Sequence, residues 1–254
     1  MRVKDQVVVV TGGASGIGRA LCRRFAADGA RKVVVADRDG DGAERVAREV
    51  GGDARPVDVA RESDIAALIE HTEAAHGPIA LFCSNAGIGV AGGAEVADGE
   101  WQRIWEINVM SHVYAARHLV PRMAARGGGT LLNTASAAGL LTQIGSAPYA
   151  VTKHAAVAFA EWIAITHGRD GIKVSVLCPQ AVRTAMTAAN PGGVASVDGM
   201  LEPEAVAEAV TQALAEERFL VLPHPEVAQY LQRKAGDYDR WIRGMQRLRE
   251  KYEG

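Results

Sequence analysis

Tyr149 and Lys153 are the side chains whose spacing speaks most directly of chemistry. They stand four residues apart in Tyr149-Ala150-Val151-Thr152-Lys153, which places both on one face of a helix. A phenol with a pKa near ~10 is a poor base at neutral pH, and a neighbouring ammonium lowers that value by favouring the phenolate. Such a pair can exchange a proton with a hydroxyl or carbonyl oxygen. The same spacing also occurs as an ordinary surface pair, so its meaning depends on its company. Ser136 closes the run Asn133-Thr134-Ala135-Ser136, thirteen residues before Tyr149, where its hydroxyl either reaches a substrate oxygen or caps the following turn. Asn108, in Glu106-Ile107-Asn108-Val109, sits where helix propensity disfavours it. Its amide, if buried, needs partners in the core or in a water-mediated proton path.

A second group of residues suits a dinucleotide. The valine run Val7–Val10 leads into Thr11-Gly12-Gly13-Ala14-Ser15-Gly16-Ile17-Gly18, where a helical pattern opens. Glycines allow the sharp turn and close backbone approach, and the helix N-terminus offers free N–H groups to a pyrophosphate. Gly12, Ser15, Gly16, Ile17 and Gly18 are therefore candidate cofactor contacts, and the strand–turn–helix context strengthens a motif that is weak alone. Asp37 lies nineteen residues beyond Gly18, where a carboxylate accepts from both ribose hydroxyls and repels a 2′-phosphate. Arg38 could instead pair with that phosphate. An NADP site usually adds a second basic group in the Gly-rich turn, where this chain has Ser15, so NAD is favoured over NADP. Asp58-Val59 could bracket the adenine, and Asn85-Ala86-Gly87 could line the nicotinamide ribose, although each is also an ordinary turn sequence.

The elements that must position these groups alternate along the chain. Strands are expected near 6–11, 32–36, 54–58, 79–84, 129–135, 172–178 and 218–222, and helices at 16–29, 40–50, 61–76, 98–126, 148–168 and 203–216. This βαβ rhythm specifies one α/β domain of Rossmann type, doubly wound, with a seven-stranded, mostly parallel sheet flanked by helices. Residues 1–254 read as that single domain, with a structureless substrate loop at about 183–202, containing Asn190-Pro191-Gly192-Gly193, and a C-terminal helical extension at about 225–252. A net charge of −2 gives no field suited to nucleic acid or an anionic membrane. No membrane span or signal peptide is read at the amino terminus. Cys22, Cys83 and Cys178 are odd in number and lack metal-ligand spacing, so reduced thiols, a cytoplasmic location and no metal are expected.

In order, Thr11–Gly18, Asp37, Asp58, Asn85-Ala86-Gly87, Asn108, Ser136, Tyr149-x-x-x-Lys153 and Pro179-x-x-Val182-x-Thr184 resemble the short-chain dehydrogenase/reductase family over nearly the whole chain. The resemblance implies a sheet order of 3-2-1-4-5-6-7 and interconversion of a secondary alcohol and a ketone. It implies that Tyr149 transfers the proton and Ser136 holds the reacting oxygen. Lys153 would bind the nicotinamide ribose and acidify Tyr149, and Asn108 would hold a water linking Lys153 to solvent. Tyr149, Lys153, Pro179, Val182 and Thr184 join the cofactor contacts on the same ground. An NADP-dependent ketoreductase and an NAD(H)-sensing protein without chemistry are the competing readings.

Two features depart from the family's commonest pattern. Pro179-Gln180 replaces Pro-Gly, so Gln180 either shapes the pocket or turns to solvent. The tail lacks an Asp-Gly-Gly-like ending and continues from Pro223-His224-Pro225 into a segment where Leu231, Tyr238, Trp241, Met245 and Leu248 form an apolar stripe. That stripe either packs on the core, closes the pocket or joins a second copy; a homo-oligomer, dimer or tetramer, is expected. A membrane-surface helix is disfavoured by seven Lys/Arg against five Asp/Glu in residues 226–253. The pocket is expected from residues 137–146 and 183–202, with Ala138, Gln143, Gln180 and Met186 against the substrate. Only Arg183, Asp198 and Glu202 are charged there, which points to a neutral, largely apolar small molecule. His112, His118, His154 and His167 are read as structural or exposed.

Overall fold

In strand β1 (Val7–Thr11) Val7 and Val9 face one layer of the core while Val8 and Val10 face the other, so the strand is a continuous apolar run rather than an alternating one. The computed structural model, which describes residues 1–188 and 192–253, repeats this in β2 (Lys32–Asp37) and β4 (Ile79–Ser84), while β5 (Gly129–Thr134) and β6 (Ile172–Leu177) also bury residues in both layers but carry polar residues, Lys173 exposed among them. The shorter β3 (Asp53–Pro56) and β7 (Leu220–Val221) form the edges. The order is β3-β2-β1-β4-β5-β6-β7 with every pairing parallel. One face carries α1 (Gly16–Ala27), α2 (Gly40–Val50) and α9 (Pro203–Ala215). The other carries α3 (Glu62–His76), α5 (Ser111–Ala125) and α7 (Ala147–His167). Strand order reverses between β1 and β4, so a crevice opens at their carboxyl ends.

The helix expected over 98–126 is broken. After α4 (Asp98–Trp105), Glu106–Met110 form a π-helical turn before α5 begins. Asn108 lies in that turn and is fully buried. Its amide pairs in both directions with one backbone unit, Ile88 N–H donating to Oδ1 and Nδ2 donating to the Ile88 carbonyl, each at 2.9 Å. The wider turn and this pairing are local devices that a regular helical period does not encode.

The segment expected to be structureless at 183–202 is not. Arg183 N–H donates to the Leu201 carbonyl at 2.9 Å and Leu201 N–H to Ala181 at 3.1 Å, and a short helix α8 (Ala185–Ala188) and a 3-10 turn (Val194–Ser196) lie between. Asn190 and Pro191 lie outside the described residues. A further short helix, α6 (Ala138–Leu141), packs on α7 so closely that a Cβ on Gly139 would lie 2.4 Å from the Lys153 carbonyl oxygen; only glycine permits that approach.

The tail is two helices, α10 (Glu226–Gly236) and α11 (Tyr238–Glu253), parted at Asp237, whose backbone is extended. The break resets the helical phase. Trp241 joins Leu231 and Tyr230 in a cluster with Ala137, Leu141 and Val227, whereas Tyr238 leaves the expected stripe and is 57% exposed. Among the described residues no helix is long and apolar enough to cross a membrane, and no group of three His, Cys, Asp or Glu could hold a metal. Cys22, Cys83 and Cys178 are buried and unpaired.

Candidate active site

Thr11, the last residue of β1, organises the crevice floor. Its hydroxyl donates to the Cys83 carbonyl at 3.2 Å and accepts from the backbone N–H of Asn85 at 2.9 Å and of Ala86 at 3.2 Å. Asn85 Nδ2 returns a bond to the Thr11 carbonyl at 3.1 Å, and Asn85 Oδ1 accepts from Thr134 Oγ1 at 3.2 Å. The ends of β1, β4 and β5 are thus held in one polar network. Neither threonine stands out as a site residue in the sequence, because Thr is ordinary in strands.

Above this floor lies a cavity of about 1390 Å³, larger than the roughly 300–1,000 Å³ of a single small-ligand site. At one end it is lined by Gly12, Ser15, Gly16, Ile17 and Gly18. A Cβ on Gly18 would lie 2.0 Å from the Gly12 carbonyl oxygen, so the tight turn excludes any larger residue. Ser15 precedes α1 without capping it through its side chain, and the first turn of α1 carries no acid, which leaves that terminus open to an anion. Asp37 Oδ2 accepts from Ala14 N–H and Oδ1 from Asp39 N–H, both at 3.0 Å. Arg38, Asp58 and Val59 also line this end; Asp58 lies past the end of β3, and its Oδ1 accepts from Ala60 N–H at 3.1 Å. These residues fit a dinucleotide: a glycine cradle, an uncapped helix start and a fixed carboxylate, in that order along the crevice.

Asn85, Ala86, Gly87, Pro179, Val182 and Thr184 line the middle, with Ser136, Tyr149 and Lys153. Lys153 is buried, its Nζ donating to the Thr134 carbonyl at 2.9 Å and standing 5.7 Å from the centre of the Tyr149 ring. Burial pushes the Lys153 ammonium down to about 8. Burial also raises the Tyr149 phenol, with the Ser136 hydroxyl pulling the other way. In the protein by itself desolvation of the phenolate is the larger effect. Ser136 Oγ accepts from Ala138 N–H at 3.1 Å and donates to the Pro179 carbonyl at 3.3 Å. Asn108 does not line the cavity but lies behind it, with Gly87 between it and Lys153: a Cβ on Gly87 would be 3.2 Å from Asn108 Oδ1 and 3.4 Å from Lys153 Nζ.

Ala138, Gln143, Gln180 and Met186 line the remaining end. Gln180 is not turned to solvent. Its Nε2 donates to Asp198 Oδ2 at 3.0 Å, Asp198 Oδ1 accepts from the Tyr230 hydroxyl at 2.9 Å, and Gln180 N–H donates to His224 Nδ1 at 3.2 Å. This network joins the 183–202 segment to the tail, and sequence reading missed Tyr230 and His224 because both lie far from the loop in the chain. The expected charges are also redistributed. Arg183 pairs with Glu202 at 2.6 Å and lies off the cavity, while Arg233, Arg240 and Arg247 from the tail line it. Of the histidines, His112 is buried and held neutral, burial pushing it down to about 3. His118 contacts Glu62 at 3.1 Å and His167 contacts Asp170 at 3.0 Å, His154 donates from its ring to the Ala150 carbonyl at 2.8 Å, and none of the four lines the cavity.

Comparison with known proteins agrees with this architecture. The pattern of the short chain dehydrogenase family matches residues 6–193. The chain is 37% identical to 1-deoxy-11-beta-hydroxypentalenate dehydrogenase of Streptomyces exfoliatus, covering 89% of this chain and 86% of that one. It is 34% identical to meso-2,3-butanediol dehydrogenase of Serratia marcescens, over 74% and 75% of the two chains. A short chain dehydrogenase/reductase from Burkholderia phymatum, solved in complex with NAD, superposes with a TM-score of 0.86 at 27% identity, covering 94% of this chain and 96% of that one. The ordered motifs, the sheet order and these relatives together make the chain a member of the short-chain dehydrogenase/reductase family, an NAD(P)-dependent oxidoreductase acting on alcohols.

Proposed function

We propose that this enzyme interconverts a secondary alcohol and a ketone with NAD, on a substrate whose body is largely apolar. The observation that carries this reading is the meeting of Tyr149, Ser136 and Lys153 in one cavity wall, between the glycine cradle and an apolar end formed by Leu141, Ile144, Trp241, Met245 and Leu248. Bound NAD supplies the hydride acceptor and a positive charge. Ser136 Oγ holds the reacting oxygen, and Tyr149 Oη, as phenolate, takes the hydroxyl proton. Lys153 Nζ, already fixed on Thr134, holds the ribose with its remaining N–H groups and favours the phenolate. Asn108, its amide committed to Ile88, serves by positioning a water on the path from Lys153 to solvent. The residues given above as cofactor contacts hold the dinucleotide. The relatives named as dehydrogenases of hydroxypentalenate and butanediol support an alcohol substrate. Buried free thiols suit the reducing conditions of a cytoplasm.

Asp37 is the ground for NAD. Two backbone donors hold its carboxylate in place, so it accepts from ribose hydroxyls at little ordering cost and opposes a 2′-phosphate. Arg38 favours a second reading, NADP-dependent ketone reduction, because it lines the same end of the cavity.

A second copy of the chain is proposed to cover the exposed apolar residues Trp105, Val151, Trp162 and Ile165, the last 83% exposed, on α4 and α7. Light scattering after gel filtration should give a dimer or tetramer; a monomer at micromolar concentration refutes this.

Tyr149→Phe should lower alcohol oxidation by at least ~10²–10⁴-fold, the range of general acid–base catalysis, with NAD binding kept. Unchanged turnover would overturn the role of Tyr149, and NAD binding with no turnover of any alcohol by the unmodified protein would favour a sensor. The unmodified protein should bind NAD more tightly than NADP, and Asp37→Ala should narrow the gap; tighter NADP binding by the unmodified protein reverses the cofactor assignment. Lys153 gives a pH dependence. Its ammonium titrates at about 8 when folded against 10.5 ordinarily, so the unfolded chain binds more protons between those values and stability rises with pH across that window. Below it the charge costs about 3 kcal/mol. Lys153→Met should remove that rise and, after loss of the bond to Thr134, add about 1–3 kcal/mol of stability at pH 7 while abolishing activity. Thermal unfolding followed against pH checks both, and a destabilised Lys153→Met protein contradicts them.

A further inference from the structure

Arg233, Arg240 and Arg247 recur every seven residues along the tail; the break at Asp237 resets the helical phase, yet all three, each exposed, border the large cavity. None of the three has an acidic side-chain partner among the described residues, whereas Arg19, Arg24, Arg103, Arg117 and Arg126 are ion-paired. Arg233 lies over the Tyr230 ring at 5.7 Å, which leaves Arg240 and Arg247 as guanidinium groups with free donors. The acids nearest them in the chain, Asp239 and Glu250, do not line the cavity; Asp237 does, and its Oδ1 accepts from Arg240 N–H at 2.9 Å, at the start of α11. The other carboxylates lining the cavity, Asp37 and Asp58, belong to its far end, at the tips of β2 and β3.

The place of the tail fixes which part of the cavity these cations serve. Lys234 Nζ donates to the Leu140 carbonyl at 2.6 Å, Tyr230 bonds Asp198, and Trp241 packs in the cluster containing Leu141. The tail therefore closes the end beyond Ser136 and Tyr149, away from the glycine cradle. Trp241, Met245 and Leu248 line the cavity beside the arginines. The wall is apolar next to the reacting groups and cationic along the outer side of α11, where Arg240 and Arg247 are separated by two helical turns, about 10 Å.

We propose that Arg240 and Arg247 form an anion subsite, and that the substrate is an alcohol with an apolar body and an oxyanionic group, a carboxylate or a sulfonate, at the end remote from the carbinol carbon. Planar guanidinium forks recognise either oxyanion with paired hydrogen bonds. The apolar body spans from Tyr149 to the arginines along Trp241, Met245 and Leu248. This rests on the alcohol-oxidising reading above and replaces the expectation of a neutral substrate, which considered only residues 137–146 and 183–202.

The test separates binding from turnover. Cyclic hydroxy acids, from hydroxycyclohexanecarboxylate to a fused-ring hydroxy bile acid, would be compared with their methyl esters and with sulfonate analogues. Oxidation with NAD is followed at the nicotinamide absorbance, and binding to the NAD-loaded Tyr149→Phe protein by calorimetry. The acids, the sulfonates or both should exceed the esters by at least ~10-fold in kcat/KM and in affinity, and which of the two leads identifies the oxyanion. Arg240→Gln with Arg247→Gln should abolish that preference while leaving ester turnover and NAD affinity within about twofold. Esters equal to or better than the acids and sulfonates, or no discrimination in either measurement, overturns the subsite while any observed turnover preserves the alcohol-oxidising reading. Loss of NAD affinity in the double variant also overturns it, by assigning the arginines to the cofactor. Acid-selective binding without turnover by the unmodified protein supports the subsite and removes the oxidation.

Discussion

A single buried ammonium constrains much of the site. Lys153 Nζ rests on the Thr134 carbonyl at 2.9 Å with almost no exposure, and a charge so placed is tolerated only where the surroundings are arranged around it. Thr134 must end β5 at that height, which the Thr134–Asn85–Thr11 network secures. A Cβ at position 87 would press on Asn108 Oδ1 at 3.2 Å and touch Nζ at 3.4 Å. Gly139 must let α6 lie on the backbone of Lys153. Several features that look separate in the sequence are, in this molecule, packed around one group.

The proposed function has Tyr149 act in the cofactor-loaded state. In the protein by itself, desolvation acts on both partners: it discourages the charged form of Lys153 and that of Tyr149. On that proposed reading, a bound cofactor would bring the positive charge and hydrogen-bond partners that favour the charged forms.

The sheet and the reacting groups were legible in the sequence because they depend on local patterns. Buried β-branched runs, Gly18 in the first turn, and the four-residue step from Tyr149 to Lys153 each carry their geometry within a short window. The strand order came from the family resemblance and matches the observed topology, whereas Asp37 and Ser136 were placed at strand ends from the residues themselves: Asp37 ends β2, and Ser136 lies two residues past β5. What escaped was set by contacts between distant segments. The π-helical turn around Asn108 depends on the Ile88 backbone. Order in the 183–202 segment depends on Leu201 meeting Ala181 and on Asp198 meeting both Gln180 and Tyr230. The phase of the tail changes at Asp237, so the stripe counted as one helix placed Tyr238 on the wrong side. The charge bordering the pocket was misjudged for the same reason, since arginines on an exposed helix give no local sign that a cavity lies beside them.

The Gln180–Asp198–Tyr230 network divides the chain into two parts with different histories available to them. The groups proposed to set the reaction belong to the sheet and α7, while the far wall comes from a terminal pair of helices attached to α6 and the 183–202 segment by a small apolar cluster and a few hydrogen bonds. Substitutions in the tail can therefore accumulate, or the whole tail can be exchanged, without disturbing the register of the strands beneath. Such a scaffold can acquire a new substrate by redrawing its last thirty or so residues, leaving the proton-transfer apparatus as inherited.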